Sequence, residues 1–448
     1  MSLLRRPPFA RARLRTYAVI LLFTFIFVTT FAATSSASGS AGDMELSALI
    51  REGLLKNPRI IALRHEWKRI EQRFPQARAL PDPVLSYTYP IRKIETRLGP
   101  TEHVFGVSQR IPFPGKLRLK GDIANKEIQM ARLEIESAAF DLALSIKLSF
   151  YELYYIDKAV GFARERLNVL SHFTKAEMNN YSVGSSGLDS VVRAEAEYAD
   201  ASYELILLEE LRRAESTKLN TLLGRDPEEV VGPVGELEFR ESPVTLDKLY
   251  EATFGNESIE MAGLKVETRE LQMKLARFKA LPNFSVGLNY TVIGKPEMSG
   301  VKDAGRDGVA VMVGLSVPLW ARKNVAAVRE ARHARARSIS EKTAIANELK
   351  NMIKKTYVDM TSNYKLIRLY SDTLLPKAVR LIDVSRIKYK NGQGTISELF
   401  EAQNMWINFK LAEYRARANY LKKVAEVERI AGDDLMRQQL IRRTTKDG

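Results

Sequence analysis

The sequence predicts a mainly α protein with a small β part, built from a helix–strand–strand–helix–turn–helix unit used twice. Three observations lead there. Residues 116–224 contain no proline, and one cluster, Tyr181-Ser182-Val183-Gly184-Ser185-Ser186-Gly187, alone interrupts their helical pattern. Two pairs of short runs alternate in hydropathy, the period of strands. The order of elements then recurs after about 200 residues, the mark of an internal duplication.

The helices come first because they are the longest. In the arm 116–181, Leu142, Ile146, Ser149, Leu153, Ile156 and Val160 fall at alternating spacings of four and three. This is the heptad period of helices that coil around neighbours. At ~1.5 Å per residue the arm is about 100 Å long and must lie against other long helices. Its charges, among them Lys126, Glu127, Asp141 and Lys147, bar it from lipid. A second stripe, Leu349, Ile353, Tyr357, Met360, Tyr364 and Ile367, asks for partners beyond one hairpin. Pro376 should bend this second arm near its far end.

The remaining elements follow in order. Residues 44–79 read as helix, with kinks or breaks expected at Pro58 and Pro75. Ala79-Leu80-Pro81-Asp82-Pro83 ends the helix, and strands follow near 84–90 and 102–111 with a polar loop, 92–101, between them. Residues 225–243, rich in Pro, Gly and Glu, read as a linker. The second pair of strands falls near 284–293 and 309–319. Phe284, Val286, Leu288 and Tyr290 share one face, as do Val309, Val311, Val313, Leu315, Val317 and Leu319. Runs of roughly 9–11 residues suffice for a tilted strand to cross a bilayer. Alternation alone also fits a soluble sheet with one wet face. If the strands do meet lipid, four cannot close a barrel, so copies of the chain must share one.

The duplication rests on several anchors. Ala280-Leu281-Pro282-Asn283 echoes Ala79-Leu80-Pro81-Asp82 at an offset of 201. Tyr389-x-x-Gly392 echoes Tyr181-x-x-Gly184, and Ala402 and Gly432 echo Ala194 and Gly224, all at 208. The units are 42–224 and 244–432.

Composition narrows the function. The 448 residues include no cysteine, which excludes disulfides, zinc–thiolate sites, a thiol nucleophile and a lipidated N-terminus. His65, His103, His172 and His333 are scattered and read as incidental. No phosphate loop, dinucleotide turn, metal-spaced cluster or nucleophile elbow is present, so no enzyme activity and no cofactor are expected. Residues 1–41 read as a secretory signal: five arginines, then the apolar run 17–33, then small residues, with cleavage after Ala37 or Ala41. A retained membrane anchor is the alternative. Removing those arginines lowers the net charge of +15 to about +10, and part of the excess sits in the basic tail 433–448. An exported chain is a poor partner for nucleic acid.

Taken together, the duplicated architecture, Ala79-Leu80-Pro81-Asp82-Pro83 and the two Tyr-x-x-Gly turns resemble the TolC-like outer-membrane efflux proteins of Gram-negative bacteria. The resemblance covers nearly all of the mature chain. It implies a homotrimer with a long α-helical barrel joined to a transmembrane β-barrel shared between subunits. It also implies outer-membrane lipid around the strands, with a periplasmic adaptor and an inner-membrane pump as partners. The form of 79–83 looks more like the heavy-metal branch. By the same resemblance Glu398 and Glu401 line a constricted periplasmic gate, although Thr395-x-x-Glu398 is also a capping box. Tyr181, Gly184, Tyr389, Gly392 and Thr395 would form the adaptor-docking tip. The arginine that closes the gate in a member of the family has no counterpart here, where Gly394 stands. A soluble periplasmic coiled-coil adaptor or spacer is the alternative function.

Overall fold

A computed structural model describes residues 44–432 apart from 238, 240, 297–299 and 301. The signal segment 1–41 and the basic tail 433–448 lie outside the described residues. Three short helices open the described residues: α1 (Leu46–Lys56), α2 (Pro58–Glu71) and α3 (Arg73–Arg78). Neither proline kinks a helix. Pro58 takes the first position of α2, where its missing N–H costs nothing, and the Asn57 side chain caps that helix by accepting from the Arg59 N–H. The second break falls at Gln72, so Pro75 lies inside the first turn of α3.

Strands β1 (Val84–Thr88), β2 (Glu95–Thr96) and β3 (Gly99–Ile111) come next. The expected loop 92–101 is therefore partly strand, and β3 starts three residues earlier than its alternation implied. The reason is pairing: β2 folds back on the start of β3, with Thr96 opposite Gly99. Then α4 (Lys116–Ser182) runs unbroken for 67 residues and α5 (Leu188–Leu223) returns along it. All six residues of the first heptad stripe are buried. The second half has α6 (Leu246–Ala252), α7 (Glu257–Lys279), β4 (Asn283–Ile293), β5 (Gly308–Ser316), α8 (Ala321–Leu369), α9 (Leu375–Lys390) and α10 (Ile396–Ala431). β5 stops at Ser316, short of the expected 319. Between α8 and α9 a π turn, Tyr370–Leu374, takes up the disturbance from Pro376, which lacks an N–H and crowds the preceding turn.

The strands form one antiparallel sheet in the order β1-β3-β4-β5. Its register gathers the alternating residues into rows. Tyr87, Phe105, Tyr290 and Val309 lie side by side, and Leu85, Val107, Leu288 and Val311 form the next row on the same face. Every one of these side chains is exposed, Leu85 to 80% and Val311 to 73%. The opposite face carries Ser86, Gly106, Asn289 and Ala310 in one row. A Cβ on Gly106 would run into the Ser86 and Asn289 side chains, so the polar face is crowded while the apolar face is bare. The outer edges of β1 and β5 pair with no strand among the described residues. Among the same residues no helix is long and apolar enough to cross a membrane.

The helical core forms in patches along the long arms. One is built on Leu142, Ile146, Leu153 and Tyr154 of α4 with Leu219 and Leu223 of α5. A second joins Ile353, Met360 and Ile367 of α8 to Tyr420 and Val427 of α10. The described residues of 225–243 have no helix or strand, yet they are pinned to both. Asp157 accepts from Arg212 at 2.6 Å and from the Val234 N–H at 2.9 Å. Further on, Phe239 stacks on Tyr364, and the Tyr420 hydroxyl accepts from the Ser242 N–H.

Candidate functional site

The sites anticipated from the sequence gather at the helix–helix turns, far along the arms from the sheet. The two turns are built alike. At the first, Gly184 N–H donates to the Tyr181 carbonyl at 2.9 Å and Ser185 N–H to that of Asn180 at 2.8 Å. At the second, Gly392 donates to Tyr389 at 3.1 Å and Gln393 to Lys388 at 2.9 Å. Both are Schellman closures, which need a left-handed residue just past the helix. Gly184 has φ 75° and Gly392 φ 70°, with open space where a Cβ would stand. The glycines are required by backbone conformation and not by crowding. Tyr181 and Tyr389 are each 45% exposed, so both rings face away from the helical core.

The return helices start differently. Gly187 precedes α5 with no side-chain cap. Thr395 precedes α10 and its hydroxyl accepts from the Glu398 N–H at 3.3 Å, so half of the capping box is formed. Phe400, two residues on, is buried and stacks on Phe173 of α4, ring centroids 5.5 Å apart and nearly parallel. That contact fixes the rotation of α10. With Phe400 and Ala402 turned inward, Glu398 and Glu401 are left exposed, three residues apart on one side. Phe173 and Phe400 were not singled out in the sequence. The available signal was a phenylalanine between two acids at a helix start.

Gly394 has a local reason to be small. A Cβ there would stand 3.0 Å from the Glu398 Oε2 and 3.0 Å from the Lys388 Cβ. The Glu398 carboxylate thus lies over the position where an arginine would have begun. The turn residues of the two tips share no hydrogen bond or ion pair among the described residues.

A second pair of residues, also missed, ties each half at the opposite end of its helices. The Asn57 amide donates to the Leu222 carbonyl at 2.9 Å while its oxygen caps α2. The Asn256 amide donates to the Ile430 carbonyl at 3.0 Å while its oxygen caps α7 through Ser258. Each asparagine joins a helix start to the end of the last helix of its own half.

Comparison with known proteins agrees with this architecture. Residues 249–433 match the outer membrane efflux protein family. No curated protein matches the chain by sequence. Among solved structures, the outer membrane protein VceC of Vibrio cholerae is similar over 86% of this chain and 96% of its own, with TM-score 0.72 and 18% identity. CusC, described in connection with transmembrane channel formation, is similar over 89% and 95%, with TM-score 0.70 and 13% identity. The open-state MtrE outer membrane channel of Neisseria gonorrhoeae is similar over 87% and 89%, with TM-score 0.69 and 15% identity. The likeness to these structures is one of fold, and the family match spans the second half of the chain.

Proposed function

We propose that three copies of this chain form a passive conduit from periplasm to exterior, with its gate at the periplasmic helical tips. The observation that carries the reading is the sheet. One face is apolar and bare, the other polar, and neither outer edge pairs with a strand among the described residues. An open edge is untenable in hydrocarbon, so β1 of one copy pairs with β5 of the next. Three copies supply twelve strands and a matching ring of long helices. The mature chain begins after the signal 1–41 and consists of two duplicated units, 42–224 and 244–432, joined by 225–243 and followed by the tail 433–448.

Glu398 and Glu401 of three copies place six carboxylates around the narrow end. They attract cations and repel one another, which holds the entrance selective. Tyr181, Gly184, Tyr389, Gly392 and Thr395 present the turns to a periplasmic adaptor, which links the conduit to an inner-membrane pump. Assignment to the heavy-metal branch rests on Ala79-Leu80-Pro81-Asp82-Pro83 alone. Loss of metal tolerance, but not of drug tolerance, in a deletion strain is the outcome that supports it.

The direct test is single-channel conductance in a planar bilayer, beside the Glu398→Ala/Glu401→Ala double variant. Small, cation-selective currents that grow or lose selectivity by several-fold in the variant support the acidic gate. Unchanged currents leave the conduit and remove the gate assignment, so that Glu398 serves only the cap. A protein that stays soluble without detergent and never inserts restores the coiled-coil spacer reading.

A further inference from the structure

The two ends of the sheet differ sharply in charge. At the loop end, residues 89–102 and 293–308 hold six lysines and arginines against five acids. Lys93 is paired with Glu102 at 2.8 Å and Arg306 with Asp303 at 3.8 Å, so that end is close to neutral. At the other end, four stretches join helix to strand: 73–82, 110–123, 277–283 and 317–325. They hold ten lysines and arginines against two acids, Asp82 and Asp122.

Three of these ten cations have a local partner and a fourth lies on the polar face of the sheet. Lys116 is buried and donates to the Leu281 carbonyl and the Asn283 Oδ1, both at 2.8 Å, clamping β4 to the start of α4. Arg110 lies opposite Ser285 on the polar face of the sheet. Arg73 pairs with Glu127 at 3.5 Å, and Arg78 lies over the Phe74 ring. The other six, Arg118, Lys120, Arg277, Lys279, Arg322 and Lys323, are exposed. None has a carboxylate within ion-pair distance among the described residues, whereas all six lysines and arginines of α10 do. Lys120 and Lys279 line one groove of about 600 Å³ between α3, α4, α7 and α8.

Apolar side chains adjoin this charge. The bare face of β5 continues past its end into Leu319 and Trp320, exposed to 77% and 75%. An exposed tryptophan followed, one residue on, by two cations suits the headgroup level of a membrane, where the ring sits among glycerol groups and the charges reach phosphates. We propose that this belt binds anionic phospholipid headgroups of the leaflet on the helical side of the sheet. This rests on the strands crossing a bilayer as argued above. The chemistry recognised is a phosphodiester with net negative charge, as in phosphatidylglycerol. A basic residue at a charged membrane surface contributes about fivefold in affinity. Loss of several therefore changes lipid preference by an order of magnitude or more.

Trp320 supplies the probe. Folded mature protein in neutral detergent micelles is titrated with brominated-acyl phosphatidylglycerol or phosphatidylcholine, and quenching is read against Trp320→Phe. Wild type should be quenched at a concentration of phosphatidylglycerol at least tenfold below that of phosphatidylcholine, and salt should erase the difference. The Lys120→Gln/Lys279→Gln/Arg322→Gln/Lys323→Gln variant should quench equally with both lipids. A loop-end control, Lys295→Gln/Lys302→Gln/Arg306→Gln, should behave as wild type. Equal quenching of wild type by the two lipids overturns the proposal, as does a fourfold variant that keeps the preference. A belt facing the pore gives that result together with altered ion selectivity. Because the conduit is tested by conductance, it survives either outcome.

Discussion

The two halves of the chain have the same plan and spend their differences at particular places. The first long arm, α4, is continuous from sheet to turn. The second is cut by the π turn at Tyr370–Leu374 into α8 and α9. The turns themselves are superposable in hydrogen bonding, residue for residue. Past them the halves diverge again, as α5 starts uncapped while α10 starts with Thr395, Glu398 and Glu401. Reversal geometry is thus common to both halves, whereas the interruption, the threonine cap and the Glu398–Glu401 pair belong to the second.

The asparagine clasps give the largest expected contrast. Asn256 is fully buried, and its amide is the hydrogen-bond partner of the Ile430 carbonyl. Asn256→Ala removes a cap and leaves that carbonyl without its donor, a loss of about 2–3 kcal/mol. Asn57 is only half-buried, so water can replace part of what Asn57→Ala removes, and the loss is about 1 kcal/mol. Thermal midpoints of the two variants in detergent should rank Asn256→Ala well below Asn57→Ala. Equal midpoints would show that burial does not separate the two clasps.

Much of the plan was readable because periodicity survives in any context. The stripe from Leu142 to Val160 is buried as its spacing required, and the alternation in β4 and β5 assigns the bare face residue by residue. What escaped depends on pairing across the chain. β2 exists because its residues meet the start of β3, and nothing in 95–96 alone specifies a strand. Pro58 looked like a breaker and is a helix start, because Asn57 before it caps. The candidate acids Glu398 and Glu401 were visible in sequence. The stack of Phe400 on Phe173, which turns them outward, joins residues more than two hundred positions apart.

The turn glycines should show the halves at their most alike. Gly184→Ala and Gly392→Ala each force an L residue into a left-handed conformation with no clash to relieve, at a cost of about 1 kcal/mol. The two losses should agree within a few tenths of a kcal/mol in thermal midpoint. A larger loss at 392 would mean that the π turn upstream leaves the second tip less supported.

The smallest effect is a pH dependence expected at the base of the first half. Glu52 of α1 accepts from Arg225 at 3.0 Å and from Lys56 at 2.9 Å, and these bonds lower its pKa from 4.5 to about 2. The folded state therefore binds fewer protons at this group than the unfolded state. Its contribution is complete above pH 4.5, shrinks as pH falls and is gone once pH passes below about 2. The pair is partly solvated, so the contribution is below about 1 kcal/mol. Hydrogen exchange of α1 amides should quicken between pH 4.5 and 3 in wild type, after correction for intrinsic rates. In Glu52→Gln that excess should vanish, with α1 already looser at neutral pH. The base of the second half also holds a carboxylate, Glu257 of α7 beside Arg429 of α10, so the control is Glu52→Gln itself. An excess that survives in Glu52→Gln would mean that acid loosens the helical assembly as a whole and that this carboxylate is not the cause.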